Sequence, residues 1–334
     1  MKFAALIFVM LDHTFQHWNP ALTQTQFYNF VFLTQMPLFF FVAGYFAYKK
    51  AVSFARFPDF VRHELRLCAS YLIPFFSFAL LKWVSGGFTL SPFPNYLALV
   101  ISHPQNGLWF LWVLFWMETI LGMSTLLSGS IKKIRFKKCM TYVIYLFCLL
   151  APTALYRFAN DFGDSKLLIY YSLFFLLGPA LVPAFEWVIS VKECEKRHLL
   201  ETLWAGIATL VLSISLKCNP SYLNSPDTLA NISLRVLGSL SSLSIIFFVC
   251  DELCRFSWFC QISKLGRFSL ETYYVHVFLL SFPLVDGFLN KWPFVLSFFT
   301  LVVVTYTVIF IVKTFPILDC FVFGKFPKRN VMSL

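Results

Sequence analysis

Charge is what this 334-residue sequence lacks most. Asp, Glu, Lys and Arg make up 13% of it, against about 25% in an ordinary globular chain, and so little polar surface cannot coat a water-soluble particle. Acidic residues are the scarcer sign, 16 against 27 basic, leaving a formal net charge of +11. The nine cysteines have no framework spacing and mostly sit in or beside apolar runs, where Cys behaves as a small hydrophobe; neither disulfides nor a zinc site is expected. No low-complexity linker and no internal repeat interrupts the chain, and its longest loops, around 85–107 and 251–267, are too short to fold alone. These absences exclude a secreted disulfide scaffold, a disordered tail and, despite the basic balance, a nucleic-acid binder.

What fills the sequence instead is apolar: 59% hydrophobic, 20% aromatic, 43 Phe. A bilayer core takes roughly 20 apolar residues as a helix. Such runs appear at about 3–18, 27–48, 67–84, 108–127, 139–156, 167–189, 199–216, 229–250, 268–289 and 293–315. The expected fold class is all-α, a polytopic transmembrane bundle of about ten spans, with 1–334 as a single membrane domain embedded in the lipid bilayer. The first eleven residues look like a signal peptide, but Asp12-His13-Thr14-Phe15-Gln16-His17-Trp18 offers no small-x-small cleavage site, so the segment is expected to be a retained first span.

Basic residues near span ends stay on the cytoplasmic side. With the N-terminus inside, twenty-one of the 27 basic residues fall in the inner loops and four (Arg157, Lys166, Lys217 and Lys291) in the outer ones; Lys82 and Arg235 lie within spans. Both termini are therefore expected in the cytoplasm, and the charge is mainly topological.

Ionisable groups at membrane depth are costly and mark candidate sites. His13 lies eleven residues beyond Lys2, about 16 Å of helical rise, and His276 nine beyond Arg267, about 13 Å, so the two imidazoles share a depth. Glu118 reaches a comparable level and Arg235 lies closer to the outer face. Each has a structural alternative: His276 as a cross-helix hydrogen-bonding group, and Glu118 paired with Arg235 or a hydroxyl. Asp12, adjacent to His13, points about 100° away on a helix and is not automatically its partner. His17 and His103 belong near the outer surface, His63 and His198 in inner basic loops.

These positions coincide with a family pattern. Lys2 and His13 enclose ten residues; Gln35-Met36-Pro37-Leu38-Phe39-Phe40-Phe41-Val42-Ala43-Gly44-Tyr45 follows; then Leu108-Trp109-Phe110-Leu111; then Leu265-Gly266-Arg267-Phe268-Ser269-Leu270-Glu271-Thr272-Tyr273-Tyr274-Val275-His276. In this order, over nearly the whole chain, they resemble the integral-membrane acyltransferase family three, especially its branch similar to fucose 4-O-acetylases and related carbohydrate O-acetyltransferases. Two features depart from the pattern. The family's Arg-x-x-Arg element is replaced by Arg62-His63-Glu64-Leu65-Arg66, two Arg four apart on one helix face. The family's polar arm ahead of the first helix has no counterpart before Lys2, so a truncated or misassigned start is one expectation.

The resemblance implies an O-acyltransferase of a bacterial inner membrane, with acetyl-CoA as cosubstrate, a carbohydrate or glycolipid as acceptor, and no metal. His13 would be the general base, since imidazole titrates in the useful range for taking a hydroxyl proton. His276 and Glu118 are further catalytic candidates, Lys2, Lys49, Lys50, Arg62 and Arg66 candidate ligands of the CoA phosphates, and Arg235 a candidate acceptor contact. The competing expectation is a transporter or flippase of a polar lipid-linked substrate, because polar groups at mid-depth also mark transport paths.

Overall fold

In lipid a backbone has no water to bond, so long apolar segments close their hydrogen bonds internally as helices. The computed structural model describes residues 1–51, 57–86, 92–104, 107–131, 133–157, 165–190, 194–218, 228–281 and 292–325, and among them no strand occurs. In chain order the helices are α1 (Lys2–Trp18), α2 (Gln26–Ala51), α3 (Phe57–Leu67), α4 (Ile73–Ser85), α5 (Phe93–Ser102), α6 (Trp109–Leu127) and α7 (Ile134–Arg157). They continue as α8 (Ser165–Ser190), α9 (Cys194–Cys218), α10 (Leu229–Leu253), α11 (Ser257–Ser263), α12 (Ser269–Leu280), α13 (Phe294–Thr314) and α14 (Pro316–Phe323).

Seven helices among the described residues are long and apolar enough to cross a bilayer: α2, the run Phe57–Ser85, α6, α8, α9, α10 and α13. The other three expected spans are also represented by helix. α1 has 17 residues, α7 covers 139–156, and α12 begins the ninth, whose remainder from 282 onward lies outside the described residues. Both long loops contain structure that hydrophobic runs alone do not show: α5 within 85–107, and α11 followed by a 3-10 turn, Lys264–Phe268, within 251–267.

The third span differs most from expectation. Instead of beginning at Leu67, the helix starts at Phe57 and passes through a π turn, Cys68–Leu72, into α4. Charge does not break it because α3 is amphipathic: Phe57, Val61 and Leu65 form an exposed apolar strip at i, i+4 and i+8, with Arg62 and Arg66 exposed beside it. Residues two apart point to nearly opposite sides of a helix, which turns Glu64 inward.

Two compact units divide the chain: Met1–Tyr45 with Phe174–His276 and Pro283–Val303, and Phe46–Leu173 with Val277–Phe282 and Val304–Leu334. In the first, the backbones of α2 and α8 touch. A Cβ at Gly44 would collide with the Phe175 carbonyl oxygen, and one at Gly178 with that of Phe41, the close approach that small residues permit between membrane helices. Phe15 of α1 stacks on Phe294 of α13, centroids 4.5 Å apart, over a core of Phe15, Tyr28 and Val31. In the second unit, α14 closes on the π turn: Gly324 ends it at φ 65, and a Cβ there would collide with the Ala69 carbonyl oxygen.

Candidate active site

The first unit brings two of the expected site residues together, and a glycine sets their heights. Gly266, in the 3-10 turn ahead of α12, lies where a Cβ would stand 2.7 Å from the Phe3 backbone nitrogen and 3.1 Å from Lys2 Cβ. The turn therefore abuts the first residues of α1. His13 follows Phe3 by ten residues and His276 follows Gly266 by ten. Equal lengths of helix give similar rises, and the imidazoles meet, ring centroids 5.3 Å apart and planes at 44°.

Their settings differ. His276 is fully buried, edge-on to Tyr273 with 5.6 Å between centroids, and its Nδ1 lies 2.7 Å from the Thr272 carbonyl oxygen. A carbonyl only accepts, so Nδ1 carries the proton and Nε2 holds the lone pair. That Nε2 has no hydrogen-bond partner among the described residues. His13 is partly buried.

Asp12 does not orient His13. Its buried carboxylate turns toward α2: Gln16 Nε2 donates to Asp12 Oδ2 at 2.8 Å and lies 3.1 Å from Tyr28 Oη, with Gln35 also beside the carboxylate. This cluster of Asp12, Gln16, Tyr28 and Gln35 ties α1 to α2. The cluster has a signal in the sequence that its residue types alone do not give: Asp12 and Gln16 are four apart, on one face of a helix.

The second unit holds Glu118, and here the hydroxyl alternative is met. Tyr71 Oη donates to Glu118 Oε1 at 2.6 Å, with both residues buried. One residue along α6, Thr119 Oγ1 donates to Glu64 Oε2 at 2.8 Å. Two carboxylates thus line the seam where α3 and the π turn pack on α6. Tyr71 carried no sequence signal, because a π turn shifts the facing of everything after it and leaves no mark in hydropathy. Glu64 could have been found, since it lies two residues from each Arg of the basic element.

The remaining candidates are peripheral to these contacts. Lys2 opens α1, partly buried beneath Gly266; Lys49 and Lys50 are exposed in the last turn of α2. Arg62 is 67% exposed and 3.8 Å from Asp59, and Arg66 is likewise exposed. Arg235 sits within the first two turns of α10, partly buried. His17 and His103 are exposed, whereas the side chain of His198 lies outside the described residues.

An imidazole pair in contact, one ring buried and the other partly buried, can take and pass protons inside an apolar helical chain. Comparison with family models matches residues 1–314 to the acyltransferase domain of acyltransferase family 3. Comparison with curated proteins and with solved structures gives no match.

Proposed function

The chain belongs to acyltransferase family 3, a family of membrane acyltransferases, and on that premise we propose that it is an O-acetyltransferase using His13 as general base. The donor is acetyl-CoA and the acceptor a hydroxyl of a carbohydrate or glycolipid, in keeping with the motifs similar to the fucose 4-O-acetylase branch. The observation that carries this reading is the contact of His13 with His276, two imidazoles whose ring nitrogens can accept and donate protons, in a chain otherwise poor in ionisable side chains.

In the proposed reaction His13 takes the acceptor's hydroxyl proton as its oxygen attacks the thioester carbonyl. The tetrahedral intermediate expels the CoA thiolate, which receives the proton from His13, leaving an O-acetyl ester and CoA thiol. Lys2, Lys49, Lys50, Arg62 and Arg66 are proposed to bind the donor's phosphates as point charges and forks. Lys49, Lys50, Arg62 and Arg66 all keep the exposure that such a role needs. Arg235 is assigned to the acceptor, as a charged contact at membrane depth. The proposed site of action is a bacterial inner membrane with both termini cytoplasmic.

The test is direct. Protein in nanodiscs is given acetyl-CoA and a panel of methyl glycosides, free thiol is followed by a colorimetric reagent, and the glycosides are weighed by mass spectrometry. Thiol release with one acetyl mass added to a glycoside supports the reading; transport of glycoside without thiol release refutes it.

A further inference from the structure

We infer that His276 is the positioning residue for His13: its Nε2 lone pair receives an N–H of His13, which fixes the tautomer of that ring and leaves its other nitrogen unprotonated toward the acceptor. This inference rests on the proposed acyl-transfer reading.

Three observations lead to it. First, the Thr272 carbonyl determines which nitrogen of His276 is protonated, so the ring presents an acceptor and not a donor at Nε2. Secondly, that acceptor is buried and has no partner among the described residues, an arrangement that native interiors rarely leave without a purpose. Thirdly, a donor is at hand. An imidazole nitrogen stands about 1.2 Å from its ring centre, so rings 5.3 Å apart bring two nitrogens aimed at one another to about 3 Å, within hydrogen-bond range. In this structure the ring planes lie 44° apart and that bond is not made. The inferred bond forms on a turn of His13 about its second side-chain torsion, a broad well for imidazoles, since catalytic hydrogen bonds commonly tighten only when substrate is bound.

The alternatives for orienting His13 are weaker. Asp12 turns its carboxylate to Gln16 and Gln35, its Oδ1 being without a hydrogen-bond partner among the described residues, and its neighbouring position on α1 points about 100° away from His13; the Tyr273 ring meets His276 edge-on. A neutral imidazole has two tautomers, and only the one with its lone pair toward the acceptor hydroxyl is a base. Accepting an N–H from His13 selects that tautomer. When His13 takes the hydroxyl proton it becomes an imidazolium. Its second N–H stays bonded to His276 Nε2 until the first proton passes to the CoA thiolate, and no net proton enters or leaves the pair. The sharing partner in this arrangement is neutral, which avoids burying an uncompensated carboxylate in the membrane.

The test pairs kinetics with spectroscopy. Acetyl-CoA with methyl fucoside as acceptor probe gives kcat and KM; ¹⁵N-histidine spectra of the protein in nanodiscs give the tautomer of His13 without any turnover. His276→Phe keeps an aromatic ring and removes the acceptor: kcat is expected to fall about 10²-fold or more, with KM for acetyl-CoA unchanged, and His13 to become a mixture of tautomers. His276→Gln places a carbonyl oxygen near the former Nε2 and is expected to stay within about tenfold of wild type with a single His13 tautomer; His276→Asn, whose amide reaches only the Nδ1 position, is expected to behave like the Phe variant. An unchanged kcat or an unchanged His13 tautomer in His276→Phe would overturn the inference, as would equal rescue by Asn and Gln. Failure of the wider reading looks different: His13→Ala would then retain thiol release, whatever the variants of His276 do.

Discussion

Replacing Gly266 by Ala tests how the two histidines come to share a height. The new Cβ would stand 2.7 Å from the Phe3 backbone nitrogen and 3.1 Å from Lys2 Cβ, while ordinary contact begins at 3.4 Å. The nearest atom is backbone and cannot swing aside, so the 3-10 turn and the start of α1 must part by about 0.7 Å. Overpacking of this kind costs about 1–3 kcal/mol. The larger effect is on chemistry: α12 follows directly on this turn, so His276 moves with it relative to His13. A misplacement near 1 Å of groups that must align costs about 10²-fold in rate, and kcat for acetyl transfer is expected to drop by about 10- to 10²-fold. The assay is thiol release from acetyl-CoA with methyl fucoside, beside thermal unfolding of the same nanodisc samples. Gly206→Ala is the control. A Cβ at Gly206 meets nothing within 4 Å, and Ala in the interior of α9 favours the helix by about 1 kcal/mol. A folded Gly266→Ala protein with kcat within twofold of wild type would refute the reasoning.

Other consequences are equally concrete. Tyr71→Phe removes the 2.6 Å donor to Glu118 and is expected to destabilise the protein by about 1–3 kcal/mol, read as a lower unfolding temperature; no change would mean that the Tyr71 hydroxyl contributes nothing to holding the π turn on α6. Gly44→Ala drives a Cβ into the Phe175 carbonyl oxygen, and loss of folded protein in detergent, judged by gel filtration, is expected where Gly206→Ala has none. Arg62→Ala combined with Arg66→Ala is expected to raise KM for acetyl-CoA by about tenfold or more, while leaving kcat at saturation unchanged, the mark of a group that binds the donor equally in ground and transition states.

The spans were readable because lipid asks for one thing that sequence displays openly, uninterrupted apolar length. Seven long helices among the described residues answer to it. The shared depth of His13 and His276 was readable for a related reason: counting residues from Lys2 and Arg267 measures rise along a helix. Their actual contact was not readable, because it depends on Gly266 fitting against Phe3, a long-range packing that no local pattern encodes. Tyr71 was hidden by the π turn. The helical character of 57–67 was hidden by its charge, although Phe57, Val61 and Leu65 carried the four-residue period that shows it. Lys2, Lys49, Lys50, Arg62 and Arg66 were readable only by type and place in the chain.

The central claim is that acyl transfer occurs at His13. It is tested most directly by a single-turnover reaction of His13→Gln, in nanodiscs, with radiolabelled acetyl-CoA and methyl fucoside, on protein whose unfolding temperature matches wild type. The rate of label transfer to the glycoside is expected to fall by about 10³-fold or more, since removal of a general base alone commonly costs about 10²–10⁴. Label transfer at the wild-type rate would contradict it.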